Sequence, residues 1–299
     1  MTFSKEIFVK LAAFPKCFMD QLVVNCTMTM FDWIEMAAEL PVDGLEMYSG
    51  FFRSFDPKYL DRVRASMERH RLEMPMLCCS PDFTWPDPAQ RRREVEREKQ
   101  MVAATAALGG RFCRVLSGQR RPEVSRSQGI QWVVECIEDL LDDAARKNVV
   151  LVIENHYKDN YWTHPEFAQE SDVYVEILER INSAWFGAQF DPSNALLAGE
   201  DPIGLLERIK NRVVTMHASD RRLQDGHSLA ELRRMEDTTG YAGILSHGVV
   251  GEGLNDYFRI FAILRDAGFD GWVSIEDGVN GMEEIRRSAE FLRPLMQSA

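Results

Sequence analysis

One rhythm constrains this chain more than any single motif. Short apolar runs alternate with longer amphipathic stretches from one end to the other. The runs cover residues 8–14, 44–48, 74–79, 112–116, 149–153, 185–190, 213–216 and 272–275. Runs this short, bounded by polar or turn residues, read as strands buried on both faces. Helical patterns lie between and after them, over residues 31–40, 57–71, 88–108, 128–147, 166–181, 202–209, 255–267 and 283–292. Asp56-Pro57, Asp87-Pro88 and Asp201-Pro202 place an N-cap acid before a proline at the first helical position. Buried strands separated by crossover helices make a parallel sheet. Eight such units in 299 residues average about 37 residues each, the size expected for a closed (β/α)₈ barrel. Residues 1–299 are therefore read as one barrel domain. An open doubly wound sheet would carry a glycine-rich turn after its first strand; Phe14-Pro15-Lys16-Cys17 stands there instead. Residues 221–253 break the rhythm, with one short helical stretch at 229–235 and many Gly, His and Asp residues. A connection of that length is expected to be a functional lid.

Composition excludes several function classes. Lys and Arg number 35 against 47 Asp and Glu, for a net charge of −12, so nucleic acid and anionic membrane are excluded as partners. Arg91-Arg92-Arg93 resembles a basic patch, but Glu94, Glu96 and Glu98 alternate with it, which marks a solvated helix face. The six cysteines are irregularly spaced with no C-x-x-C pair. They read as small buried residues of a reducing compartment rather than a disulfide framework or thiolate zinc site. No secretory apolar core and no long apolar span is present. The expected location is the cytoplasm.

The chemistry gathers at the ends of the late strands. Leu-Val-Ile leads into Glu154, Gln-Phe into Asp191, Thr-Met into His217 and Val-Ser-Ile into Glu276. In a parallel barrel all four positions open on the same C-terminal face, where active sites form. Three carboxylates meeting there would repel one another until one took up a proton. A divalent metal resolves that conflict. A set rich in oxygen with one nitrogen suits Mn²⁺ first, with Mg²⁺ and Co²⁺ as alternatives.

These stretches carry a family resemblance. Leu-Val-Ile-Glu154-Asn155-His156, Phe-Asp191-Pro-Ser-Asn194, Thr-Met-His217-Ala-Ser-Asp220-Arg221, Gly251-Glu252-Gly253 and Gly271-Trp-Val-Ser-Ile-Glu276 resemble the xylose isomerase-like TIM-barrel superfamily. Its members include sugar isomerases and epimerases, inosose dehydratase and endonuclease IV. The resemblance implies that Glu154, Asp191, His217 and Glu276 bind one divalent metal. It also implies that Glu154 and Glu276 form an acid/base pair on opposite faces of a carbon next to a carbonyl, working through an enediolate. Where ketose epimerases and endonuclease IV carry a histidine three residues after the strand-six aspartate, this chain has Asn194. That departure, with only six histidines in the chain, argues against a multinuclear DNA-repair centre. Relatives place a substrate-binding cation at the position of Arg221. The superfamily often assembles, so a homo-oligomer is compatible with the sequence.

Further residues join the expected substrate site. His156 shares a strand side with Glu154 if the strand continues. Glu46 is a charge inside the buried run 44–48 and must face something polar. Trp162, with Tyr48, Phe51, Phe52, Trp85, Tyr157 and Tyr161, offers aromatic faces for a sugar or a larger aglycone. His247 and Glu252 lie in the lid. Phe31, Trp33, Trp132 and Phe261 are assigned to helix-on-barrel packing. The resulting expectation is a metal-dependent sugar isomerase or 3-epimerase acting on a keto-sugar or related polyol. A dehydratase or lyase, including cleavage of a 3-keto-glycoside, is the alternative with the same metal and base. A carbohydrate-binding barrel without turnover is the alternative of another class.

Overall fold

The computed structural model describes residues 9–159, 161–232 and 243–297. Strands β1 (Lys10–Ala13), β2 (Gly44–Leu45), β3 (Met47–Tyr48), β4 (Met76–Cys78), β5 (Phe112–Val115) and β6 (Val150–Glu154) alternate with helices. The same holds for β7 (Phe186–Phe190), β8 (Val213–Ala218) and, after a lid hairpin, β11 (Trp272–Ile275). All pair in parallel, in the order β2-β1-β11-β8-β7-β6-β5-β4-β3. Glu46 alone separates β2 from β3, so the two ends of the sheet meet in one split strand. The result is a (β/α)₈ barrel, as the alternating pattern requires.

The helices α1 (Met30–Ala37), α2 (Pro57–Arg69), α3 (Pro88–Ala107), α4 (Arg126–Arg146), α5 (Ser171–Arg180), α6 (Pro192–Leu197), α7 (Pro202–Ile209), α9 (Tyr257–Asp266) and α10 (Met282–Gln297) surround it. Asp87 and Asp201 cap α3 and α7 through Ala89 and Ile203 N–H groups, whereas Asp56 makes no side-chain cap bond. The helices bury Trp33, Ile34, Val63, Val102, Ile137, Ile177 and Phe261 against the outer barrel wall. The solvated face expected for this helix, α3, holds in part: Lys99 pairs with Glu96, but Arg91 packs 4.2 Å from the Trp132 ring and Glu98 turns inward and is buried.

Three expectations shift. Helix α5 starts at Ser171 rather than 166, because Glu166 turns inward to accept hydrogen bonds from Ser117 N–H and Oγ–H. Helix α6 follows Asp191 directly, in a segment too short to display a helical period. The lid begins as an antiparallel hairpin, β9 (Arg221–Leu223) with β10 (Leu245–His247), and α8 (Leu229–Leu232) sits within it. The rest of the expected 229–235 helix, like the lid tip at 233–242, lies outside the described residues. Tyr157, Leu197 and Ile244 pack together, with Ile244 at the end of the hairpin away from the barrel strand ends. No helix among the described residues is long and apolar enough to cross a membrane.

Side chains inside the barrel form two layers. Met76, Phe112, Val150 and Val152 fill the lower one. The upper layer is polar: Glu46, Cys78, Arg114, Glu154, Gln189, His217 and Ser274 are all buried. A polar layer beneath the C-terminal mouth departs from the branched aliphatic packing usual in such barrels and marks a site.

Candidate metal centre

Four strand ends converge. One ligand atom from each of Glu154, Asp191, His217 and Glu276 lies within 4.8 Å of all the others. His217 Nδ1 is the hub. It stands 3.0 Å from Glu154 Oε1, 3.5 Å from Glu276 Oε2 and 3.9 Å from Asp191 Oδ2. Glu154 and His217 are fully buried, and the Glu276 side chain is 15% exposed.

The local sequence explains why each side chain stands where it does. Asn155 and Asp191 lock β6 to β7: Asp191 N–H donates to Asn155 Oδ1 at 2.8 Å, and Asn155 Nδ2 donates to the Asp191 carbonyl at 2.7 Å. Asp191 Oδ1 accepts from the N–H groups of Ser193 and Asn194 and from Ser219 Oγ. This N-cap of α6 aims Oδ2 at His217. On the far side of the ring, His217 Nε2 lies 2.7 Å from Glu46 Oε1, and the Cys78 thiol donates to the same oxygen at 3.0 Å. A carboxylate behind a histidine fixes the tautomer and leaves the other nitrogen facing the cluster. Glu46 therefore meets the polar partner that its burial demanded, and that partner is His217 rather than the substrate cleft.

Two internal cations were not anticipated from the sequence. Arg114, 6% exposed, donates from a guanidinium nitrogen to Glu154 Oε2 at 2.6 Å. Lys16, which opens a short 3-10 turn after β1 (Lys16–Phe18), donates to Glu276 Oε1 at 3.1 Å. Asn194 Nδ2 donates to Glu154 Oε1 at 3.1 Å, which gives the residue in place of a histidine a definite task. Burial would raise both glutamates, but neighbouring cations prevail. His217 and Arg114 hold Glu154 far below the usual carboxylate range. Lys16 and His217 hold Glu276 down to about 2. Asp191 is pushed up to about 6 by burial and by the two glutamates. His217 loses by burial but is raised well above its ordinary value by Glu46, Glu154 and Glu276.

The charge balance tests whether a metal fits. Glu46, Glu154, Asp191 and Glu276 face two permanent cations, Arg114 and Lys16. The excess is two negative charges, of which a protonated His217 cancels one. A dication that displaces the His217 proton brings the site to neutrality. Buried hydrogen-bonding atoms of Glu46, Arg114, Gln189 and Ser274 in the same layer lack partners, as is common where a polar site is built to hold something. The donor set, three carboxylates and one imidazole, fits a divalent metal.

A cleft of about 480 Å³ opens beside this cluster, lined by Lys16, Tyr48, Arg114, His156, Tyr161 and Glu276 among others. His156 thus reaches the cleft, with Glu166 Oε2 3.5 Å behind its Nδ1. Arg221 does not line it. Its guanidinium donates to the Asp220 carbonyl at 2.9 Å and lies 3.5 Å from Asp277 Oδ2, which ties the hairpin base to the strand ends. Trp162 lines a neighbouring hollow rather than the cleft. Among the other aromatics, Phe51 and Phe52 are buried, and Trp85 lies 3.8 Å from the Arg121 guanidinium. His247 contacts Asp277 at 2.9 Å, and Glu252 pairs outward with Arg287.

Sequence and structure comparisons agree with this architecture. The chain belongs to the xylose isomerase-like TIM barrel family, whose profile matches residues 34–295. Over 163 residues it is 29% identical to an inosose dehydratase of Geobacillus kaustophilus (strain HTA426), a match covering 53% of this chain and 50% of the relative. The match thus spans about half the length of that curated relative. Among solved structures, a D-psicose 3-epimerase in the presence of D-fructose superposes with a TM-score of 0.75 at 14% identity, covering 97% of this chain and all of that one. The IOLI protein with a zinc atom superposes with a TM-score of 0.71 at 16% identity, covering 97% of this chain and 98% of that one. At these identities the superpositions speak for the fold. Family and neighbours include epimerases and dehydratases.

Proposed function

We propose that this chain is a divalent-metal-dependent sugar isomerase or 3-epimerase that moves a proton on the carbon next to a carbonyl of a keto-sugar or related polyol. The observation that carries the reading is the pairing of Glu154 and Glu276, each held ionised by its own cation, at one four-ligand cluster. Glu154, Asp191, His217 and Glu276 would hold the ion, with Mn²⁺ preferred for an oxygen-rich set. A zinc atom in a structural neighbour supports a divalent ion without fixing which one. The bound ion supplies a Lewis acid that polarises the carbonyl and lowers the pKa of the neighbouring C–H.

The protein's own groups do the rest. Glu154 is fully buried, with Arg114 on Oε2 and with Asn194 and His217 on Oε1, so both carboxylate oxygens are held in a fixed orientation. Glu276 sits at the mouth beside Lys16 and is partly open to water. Either can act as base on its own face of the carbon, and the partner delivers a proton to the other face once it has itself taken one up. Glu276, at the mouth, exchanges protons with solvent, and the glutamate that took the substrate proton releases it before the next turnover. Arg114, Lys16 and His156 supply donors to substrate oxygens in the cleft.

A second reading, elimination of a leaving group from the next carbon, is favoured by two observations. His156, backed by buried Glu166, is placed to protonate a departing oxygen, and the matched curated relative is an inosose dehydratase. Both readings share the Glu154/Glu276 base chemistry. The test is steady-state turnover of Glu154→Gln and Glu276→Gln with melting curves as the folding control. Each variant is expected to lose roughly 10²–10⁴-fold in kcat. Full activity in both, with an intact fold, would remove the proposed acid/base pair.

A further inference from the structure

We propose that the substrate is not a bare keto-sugar but one carrying a second, uncharged moiety with an aromatic or apolar face, held in the hollow beside the metal cleft against Trp162. This inference rests on the proposed keto-sugar chemistry. The hollow measures about 590 Å³, and the cleft about 480 Å³. Tyr48, Asp159 and Tyr161 line both, so one molecule spanning the two would touch the same three side chains from either side. That shared wall is braced: Ser80 Oγ donates to Asp159 Oδ2 at 2.8 Å, and Tyr161 N–H donates to Asp159 Oδ1 at 2.8 Å.

The two compartments differ in chemistry. The cleft presents Lys16, Arg114 and His156, donors suited to the oxygens of a sugar. The hollow presents Trp162, Met101 and Pro81 as apolar surface, and Tyr161 stands 60% exposed at the divide. Its charged groups are Glu94, Glu98 and Asp159 against Arg97. That excess of carboxylates disfavours a phosphate and any other anionic substituent. Glu98 gives the hollow a polar floor. It is 2% exposed, burial pushes it up to about 7, and the Cys113 thiol donates to it at 3.4 Å, with Cys79 beside them. A buried carboxyl near neutrality can donate to or accept from a hydroxyl on the second moiety. Aromatic walls over such a floor fit a glycoside of a keto-sugar with a phenolic or similar aglycone.

The test compares two substrates, 3-keto-glucose and phenyl 3-keto-glucoside, whose ketone lies off the anomeric carbon and survives glycosidation, by C–H exchange in D₂O with the Mn²⁺-loaded full chain. Wild type is expected to favour the glycoside by roughly tenfold or more in kcat/KM. Trp162→Ala should collapse that ratio by about tenfold, the worth of one aromatic stacking contact, and Trp162→Phe should restore most of it. Equal kcat/KM for both sugars, with a ratio indifferent to Trp162, would overturn the inference while leaving the keto-sugar reading intact. Binding of unoxidised phenyl glucoside, followed by saturation-transfer NMR, separates the remaining cases. If neither sugar exchanges but phenyl glucoside binds in a Trp162-dependent way, the hollow stands and the reaction assignment falls. If neither sugar exchanges and phenyl glucoside does not bind, both fall.

Discussion

Replacing Arg114 with methionine separates the electrostatics of this barrel from its packing. The guanidinium lies 2.6 Å from Glu154 Oε2, with side-chain exposures of 7% and 0%. Methionine keeps much of the volume and removes the charge. Breaking a buried pair from one side costs about 3–5 kcal/mol. A unit-charge attraction of about 4 kcal/mol at an effective dielectric of 20 agrees with that range. In the metal-free protein the melting temperature should fall by roughly 10 °C, taking about 2–4 °C per kcal/mol for a domain of this size. The metal-bound protein behaves differently. Removing Arg114 takes the occupied site from neutral to one negative charge, so the dication gains an attraction that the wild type lacks. Metal affinity should rise by at least about tenfold, equivalent to about 1.4 kcal/mol, and the stabilisation on adding Mn²⁺ should be larger than in wild type. Scanning fluorimetry with chelator and with Mn²⁺, together with calorimetric titration, reads both quantities. If melting temperature falls equally with and without metal and affinity is unchanged, Arg114 is a packing residue and the charge balance of the site is wrong.

Three further perturbations follow from the same contacts. Glu46→Gln leaves a neutral group behind His217 and should weaken metal binding by roughly 10–100-fold with little change in fold; unchanged affinity would show that Glu46 does not orient the ligand. Glu98 has a folded-state pKa of about 7 against an ordinary 4.5. Its contribution to stability is complete below the unfolded value and is lost as pH rises through the folded one. Wild type should therefore lose about 3 kcal/mol between pH 4.5 and 8 from this group, and urea denaturation of Glu98→Gln should not show that component. A Cβ at Gly253 would lie 2.2 Å from Asp220 Oδ1, whose carboxylate accepts the N–H groups of Gly251, Gly253 and Asn255. Gly253→Ala should cost about 1–3 kcal/mol and loosen the lid base, seen as faster hydrogen exchange at these amides.

What the sequence revealed follows a physical divide. The barrel and the four strand-end residues were legible because strand periodicity is local and every strand of a parallel barrel ends on the same face. Arg114 carries a local signal too: a charge inside the run 112–116 has to face a polar partner for the same reason as Glu46. Which partner it meets depends on the pairing of β5 with β6, where Arg114 lies opposite Val152, and register is not visible in one segment. Lys16 opens a three-residue 3-10 turn, too short to show a period. Arg221 shows the opposite case. A cation near the right strand end turned toward Asp220 and Asp277, because hairpin pairing of His247 with Arg221 fixes that backbone. The β9–β10 hairpin itself was hidden, since its strands are three residues each and too short to show alternation.

The central claim is that a metal held by Glu154, Asp191, His217 and Glu276 serves proton abstraction next to a carbonyl. The most direct measurement is mass-spectrometric deuterium uptake by a panel of ketoses, inososes and 3-keto-glycosides in D₂O. Metal-free protein, Mn²⁺-loaded protein and Mn²⁺-loaded His217→Ala would be compared. The account predicts uptake at one carbon of at least one substrate in the Mn²⁺-loaded wild type alone, with no group lost for isomerisation or epimerisation and with loss of water or aglycone for elimination. Binding of about one equivalent of Mn²⁺ with no exchange into any member of the panel, or exchange undiminished in His217→Ala, would contradict it.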